Sequence, residues 1–330
     1  MDNQAQLSWE ARFGRLAAGS AFAAIVFQIA SFAAQVPALK DAPGRNDGLR
    51  YEHTLSRYFH DHSGVLLGSA ITQSAAGFFA VGALFYLFQA TRHRRQELPQ
   101  IVRWVLVIGP VLTAVTLIVG WVELKHASDR YTVPPPAAAA RSKLSKDEAS
   151  NLADYCRKHA RGAGVAACRR THGQQEEFGK KLIKDNQSAA VAGIGEAGVI
   201  ALAFAYVIIA LNAMRAGLLS RFMGILGIIV GALIVLPLLP QGVPIVQIFW
   251  LAALGVLFLG FWPGGRGPAW ETGEATPWPT PQARAGLPER GAGSKSEPEP
   301  EPGGSESTEP EEEPAKPHPV SKKRKRKRRR

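Results

Sequence analysis

The sequence predicts an all-α membrane protein: a six-helix transmembrane bundle with a small extracellular helical hairpin and a disordered C-terminal tail. Three observations predict it. Uncharged stretches of 18 to 44 residues occupy 16–39, 63–91, 104–122, 197–214 and 222–265, and about 20 apolar residues cross a bilayer. The charges collect between these stretches, although the average composition, 46% hydrophobic and 20% charged, looks like that of a soluble protein. A polar connection and a polar tail then pull the mean hydropathy to −0.04. A soluble globule is excluded, and two Cys in 330 residues exclude a disulfide-dense secreted domain.

The longest uncharged run contains Pro237-Leu-Leu-Pro-Gln-Gly-Val-Pro244, which no helix crosses unbroken, so it is split in two. Six spans follow, near 16–38, 63–90, 102–123, 188–212, 218–238 and 244–262. The chain divides into 1–123 with helices one to three, 124–187 as an extracellular loop, 188–263 with helices four to six, and 264–330 as a cytoplasmic tail.

Orientation follows from Lys and Arg in short loops. The 91–103 connection carries Arg92, Arg94, Arg95 and Arg103, and the 213–221 connection carries Arg215 and Arg221. Both are expected in the cytoplasm, which puts both termini there as well. The 39–62 loop then faces outside despite Lys40, Arg45, Arg50 and Arg57, which Asp41, Asp47, Glu52 and Asp61 offset. Val36-Pro-Ala38 looks like a signal cleavage site, but the apolar stretch before it is too long for a signal core, so an uncleaved first helix is expected.

Within the long connection, Pro134-Pro-Pro136 and four alanines form a spacer. Ser145 and Glu148 make a capping box, and Ala149, Leu152, Ala153 and Cys156 form an apolar stripe at helical spacing. Gly162 and Gly164 are expected to end that helix. Cys156 and Cys168 are placed on the oxidising side at a spacing that clamps two short helices, and a disulfide is expected between them rather than two free thiols. No metal-ligand spacing accompanies them.

After Trp262 the chain turns rich in Pro, Gly, Ser and Glu, too polar to bury a core. It ends in nine consecutive cations: Lys322, Lys323, Arg324, Lys325, Arg326, Lys327, Arg328, Arg329 and Arg330. Such a block seeks polyanions, anionic lipid first among them, each charge contributing on the order of 1 kcal/mol near a membrane surface. The acidic run at 297–313 offers self-pairing as an alternative. No interleaved aromatic residues point to sequence-specific nucleic-acid reading.

Few residues carry chemistry. Gly193-Ile-Gly195-Glu-Ala-Gly198 matches GxGxxG, but no strand precedes it and it lies in an apolar helix. It reads, like Gly227 and Gly231, as close helix packing. Glu196 is the one ionisable residue placed inside a span, about 12 Å deep at 1.5 Å per residue. Gln28 and Gln73 fall at a similar depth, with Thr72, Thr113 and Thr116 near them. Glu123, His60, His62 and His126 ring the outer mouth. An intramembrane carboxylate is costly, so Glu196 reads either as a proton or cation acceptor in a polar cavity or as a protonated group bonded to a Gln across helices. His60-Asp61-His62 with His126 reads as a solvated helix entrance rather than a metal site. Trp104, Trp121 and Trp262 fall where an interfacial belt is expected, Trp250 reads as packing, and Trp270 and Trp278 are expected against the headgroups.

Three segments, Gly217-Leu-Leu-Ser-Arg221-Phe-Met-Gly224-Ile-Leu-Gly227, Phe249-Trp250-Leu-Ala-Ala-Leu-Gly255 and Pro268-Ala-Trp270-Glu-Thr-Gly-Glu274, resemble uncharacterised six-helix membrane proteins of high-GC Gram-positive bacteria. The resemblance covers roughly 215–280 and implies a bacterial plasma membrane; it carries no catalytic residue over. The reading is a non-enzymatic interaction or envelope scaffold with no cofactor, whose partners are the lipid bilayer, anionic lipid or another polyanion at the tail, and a protein of unknown identity. The alternative is a small transporter or ion-coupled permease using Glu196, with Gln28, Gln73 and Glu123 as further ligand-binding candidates. The 3+3 division about the long loop fits inverted halves.

Overall fold

The computed structural model describes residues 3–44, 47–136, 143–235, 245–263, 265–276 and 278. Among them every regular element is helical: α1 (Asn3–Leu39), α2 (Arg50–Arg94), α3 (Ile101–Asp129), α4 (Lys146–His159), α5 (Gly164–Asn186), α6 (Ala189–Arg215), α7 (Arg221–Val235), α8 (Ile245–Leu259) and α9 (Ala269–Thr272). Four of them, α1, α2, α3 and α6, are long and apolar enough to cross a membrane. The chain is therefore a helical membrane protein. α7 and α8 are shorter apolar helices on either side of 236–244, and the expected Pro-rich turn lies outside the described residues.

Two helices exceed their expected spans. α1 begins at Asn3 rather than near 16, because its polar first turns dock on the bundle: Gln6 and Glu10 are buried. α2 begins at Arg50, so half of the expected 39–62 loop is helix. Its stretch His53–Phe59 is wound as a π-helix. Ser128 Oγ donates to Leu55 O within this stretch at 2.7 Å, tying α3 to α2 at that point.

Neighbours in the chain are neighbours in space. α1 packs on α2, α2 on α3, α3 on α6, α6 on α7 and α7 on α8, and α8 returns to α1. Short connections make antiparallel neighbours the accessible arrangement. Small residues let the backbones approach. Ala17, Ala18, Ala21 and Ala24 of α1 meet Ala80, Ala83 and Leu84 of α2 in one core. A Cβ on Gly195 would strike Thr116, and one on Gly198 would sit 3.2 Å from Leu112, both on α3. On α7, a Cβ at Gly227 would lie 2.8 Å from Ala210 and one at Gly231 would lie 2.7 Å from Val207. The GxGxxG segment is a packing surface, as its membrane setting implies. Trp250, fully buried, donates to Met223 O at 3.0 Å.

At one end of the bundle, residues 265–276 fold back over the helix termini. Trp270 was expected at the headgroups; it is buried instead, donating Nε1–H to Leu218 O at 2.9 Å and stacking on Tyr86 at 5.9 Å. Trp278 is half-buried and packs on the same core. The reason is that Gly217, at φ +77°, has no Cβ to bar the Thr276 backbone from seating beside it. Beneath Trp270, Arg94 Nη1 and Nη2 meet Glu10 Oε1 and Oε2 at 2.5 and 3.0 Å, with both side chains almost fully buried. Arg94 also donates Nε–H and Nη2–H to Ala269 O, which fixes the fold-back.

The other end carries α4 and α5. The capping box forms as expected: Ser145 Oγ accepts from Glu148 N while Glu148 Oε2 accepts from Ser145 N. α4 ends at His159, and Gly162, at φ +55°, makes the turn, but Gly164 opens α5 rather than closing α4. Cys156 and Cys168 are bonded, their Cα atoms 5.8 Å apart. Leu49, Leu152 and Cys156 form a core of their own, separate from that of the bundle.

Candidate functional site

The hairpin is held to the bundle by carboxylates. Glu176 is buried at the start of α2, accepting from Tyr51 N at 3.1 Å and Glu52 N at 2.8 Å. These are first-turn amides that a helix leaves without internal acceptors. Burial, with Glu52 and Asp47 beside it, pushes the Glu176 carboxyl up to about 7 against the two amide bonds. Glu148 shows the reverse balance. Burial alone would raise it, but the bonds from Lys180 Nζ and Tyr51 Oη, both at 2.6 Å, and from Ser145 hold it at about 2. His172 Nδ1 meets Glu52 Oε2 at 3.0 Å and His53 Nδ1 meets Asp47 Oδ2 at 2.8 Å.

Between this hairpin and the helix ends lies a cavity of about 830 Å³, walled by Arg50, Tyr51, Glu123, Lys180, Lys184 and Ser188 among others. Thr116 and Ala192 on its floor also line a groove of about 610 Å³ between α3, α6 and α7, on whose wall Glu196 stands. Thr113, Val199 and Ile234 of the groove in turn border a third cavity of about 480 Å³, inside the bundle, lined by Gln28, Gln35, Gln73, Tyr206 and Gln247. Shared walls thus join the hairpin end to the centre of the bundle.

The predicted residues divide among these spaces. Gln28 and Gln73 line the central cavity together. Glu196 lies in the adjoining groove, exposed on the bundle flank, and among the described residues it bonds to no Gln. Glu123 lines the outer cavity, where its Oε1 accepts from Ser188 N at 3.0 Å. The Thr72, Thr113 and Thr116 hydroxyls donate to carbonyls of their own helices. His60 meets Asp61 and His62 meets Asp41. Among the described residues no three His, Cys, Asp or Glu side chains are gathered as a metal site. The cationic run Lys322–Arg330 lies outside the described residues.

Sequence reasoning missed Gln35 and Gln247, which sit at polar positions in apolar helices as Gln28 does and carried the same signal. Gln35 Nε2 donates to Ser69 Oγ at 2.6 Å, and Gln247 Nε2 donates to Tyr206 Oη at 3.4 Å. It also missed Arg50, Lys180 and Lys184 as a group, because 130 or more residues separate Arg50 from the two lysines. Searches of protein-family models, curated proteins and solved structures return no match to this chain.

Proposed function

We propose that the chain is a six-span plasma-membrane protein, both termini cytoplasmic, that acts as a non-enzymatic interaction scaffold. α7 and α8 complete the span count if they and 236–244 together cross the bilayer twice. The hairpin is then extracellular, where a disulfide persists, and the tail meets anionic lipid or another polyanion from inside. One observation carries this reading: the hairpin is fixed to the bundle by Glu176 on α2 amides, by the Tyr51–Glu148–Lys180 chain and internally by its disulfide. A surface held this firmly outside the membrane is suited to a constant partner. The resemblance of 215–280 to bacterial six-helix proteins supports the same placement.

The test is affinity purification from native membranes in mild detergent. The full chain is compared with a chain ending at Gln282 and with one whose residues 143–186 are replaced by a Gly/Ser linker. Proteins lost with the hairpin and polyanions lost with the tail are the expected result. An identical set of companions in all three ends the scaffold reading.

The joined cavities favour a second reading, an ion-coupled permease. In proteoliposomes carrying a trapped pH-sensitive dye, proton flux that disappears in Glu196→Gln would favour it over the scaffold.

A further inference from the structure

The outer cavity has an unbalanced charge. Three cations, Arg50, Lys180 and Lys184, face one carboxylate, Glu123. Two of the four charges are already engaged: Lys180 with Glu148 at 2.6 Å, and Glu123 with the Ser188 amide. Arg50 and Lys184 form no ion pair among the described residues, and the cavity is left positive. The first turn of α6, a 27-residue helix, adds the partial positive charge of its N-terminus through Ala189 on the cavity wall.

Below Thr116 and Ala192 the surroundings become mostly apolar, with Glu196 on one wall. The groove runs between Leu117 of α3, Val199 and Ile200 of α6 and Ile234 and Val235 of α7. Ile200 and Val235 are more than 40% exposed, so the groove opens on the flank of the bundle, where the bilayer lies. A positive chamber above an apolar furrow matches a molecule with an anionic head and a hydrocarbon tail. A soluble anion would use the chamber and leave the furrow empty.

We propose that the cavity and groove seat one anionic phospholipid, its phosphate between Arg50 and Lys184. One acyl chain runs down the α3 and α7 side of the groove past Leu117 and Ile234, away from Glu196. This site is separate from the tail: it stands at the hairpin end and uses none of Lys322–Arg330. It rests on the membrane setting of the bundle alone, and neither the scaffold reading nor the side on which the hairpin faces enters it.

The experiment uses the full chain in phosphatidylcholine nanodiscs doped with phosphatidylglycerol that carries a photoactivatable diazirine in its acyl chain. The crosslinked peptides are then mapped. Label is expected on α3 and α7 around Leu117 and Ile234. Excess unlabelled phosphatidylglycerol should displace it from the unaltered protein, and phosphatidylcholine should not. In R50A/K184A the label should fall about thirtyfold, given about 1 kcal/mol for each of the two cations near a membrane surface, and R50K/K184R should restore it. Replacing Lys322–Arg330 by Gly and Ser should leave it unchanged. Equal labelling by the phosphatidylcholine analogue, label confined to 264–330, or displacement by inorganic phosphate alone would overturn the proposal. Competition in the unaltered protein decides the question even if R50A/K184A fails to fold.

Discussion

The two ends of the bundle each bury a glutamate, and they satisfy it in opposite ways. Under Trp270, Glu10 receives both terminal nitrogens of Arg94 and the Gln6 amide at 2.9 Å. Beneath the hairpin, Glu176 receives two backbone amides and, among the described residues, no cation, with Glu52 and Asp47 nearby. A guanidinium presents its donors in a fixed fork that matches both carboxylate oxygens, so the first arrangement is a two-point pair. Amides carry only partial charge, and the second depends on whether a proton is bound. Two carboxyls of the same chemistry thus make one joint to a cation and one to amides, and the joint to amides carries a raised carboxyl.

The sharpest way to break this comparison is Glu10→Ala. It leaves Arg94 buried without its partner and should lower stability by about 3–5 kcal/mol, while Glu10→Gln with Arg94→Met should recover most of the loss. Thermal unfolding in detergent measures both, and a single-variant midpoint equal to the unaltered protein's would show that the pair fastens nothing. Next in size is the disulfide. Cys156→Ser with Cys168→Ser should cost about 3 kcal/mol by loop-closure arithmetic, confined to Lys146–Asn186 because Leu49, Leu152 and Cys156 form a core apart from the bundle. Hydrogen exchange tests the confinement: protection lost equally around Trp270 would mean that the two ends unfold together.

The smallest effect is the pH response of the hairpin. Glu176 lies at about 7 in the fold against 4.5 for a free glutamate, so between those values the folded state holds more protons than the unfolded one. The stabilisation this gives is complete below about 4.5 and is lost as pH rises through about 7. Glu148, at about 2, has the opposite sign and loses its contribution only as pH falls from 4.5 towards 2. Exchange protection of α4 and α5, corrected for the intrinsic rate, should therefore rise from pH 8 to pH 5 and turn over below about 4.5. Glu52, Asp47, His53 and His172 surround the same site, so Glu176→Gln is the control, and a rise that persists in it would assign the effect to those neighbours.

Much of this was readable in the chain. The apolar runs placed the membrane helices because a helix is the form in which a segment satisfies its own backbone in lipid. The capping box and the cysteine pair announced the hairpin because both act over a few residues. The boundaries were less readable. Charges at Arg15, Asp61 and Arg92 bound the expected spans, yet α1 and α2 continue past them, and the added turns bring Glu10 and Arg94 together as a buried ion pair. The site divided in the same way. Depth along each helix grouped Gln28 with Gln73, which line one cavity, but depth says nothing of rotation about the helix axis, and rotation put Glu196 in the next groove.

By itself the sequence determined that this is a helical membrane protein with a disulfide-bearing polar insertion, because hydropathy, capping and cysteine spacing are local properties. The tertiary structure alone decided that Trp270 is a buried cap over an Arg94–Glu10 pair and that Arg50 and Lys184 face one cavity. Those outcomes depend on how residues far apart in the chain are packed together, and no periodicity or composition records that.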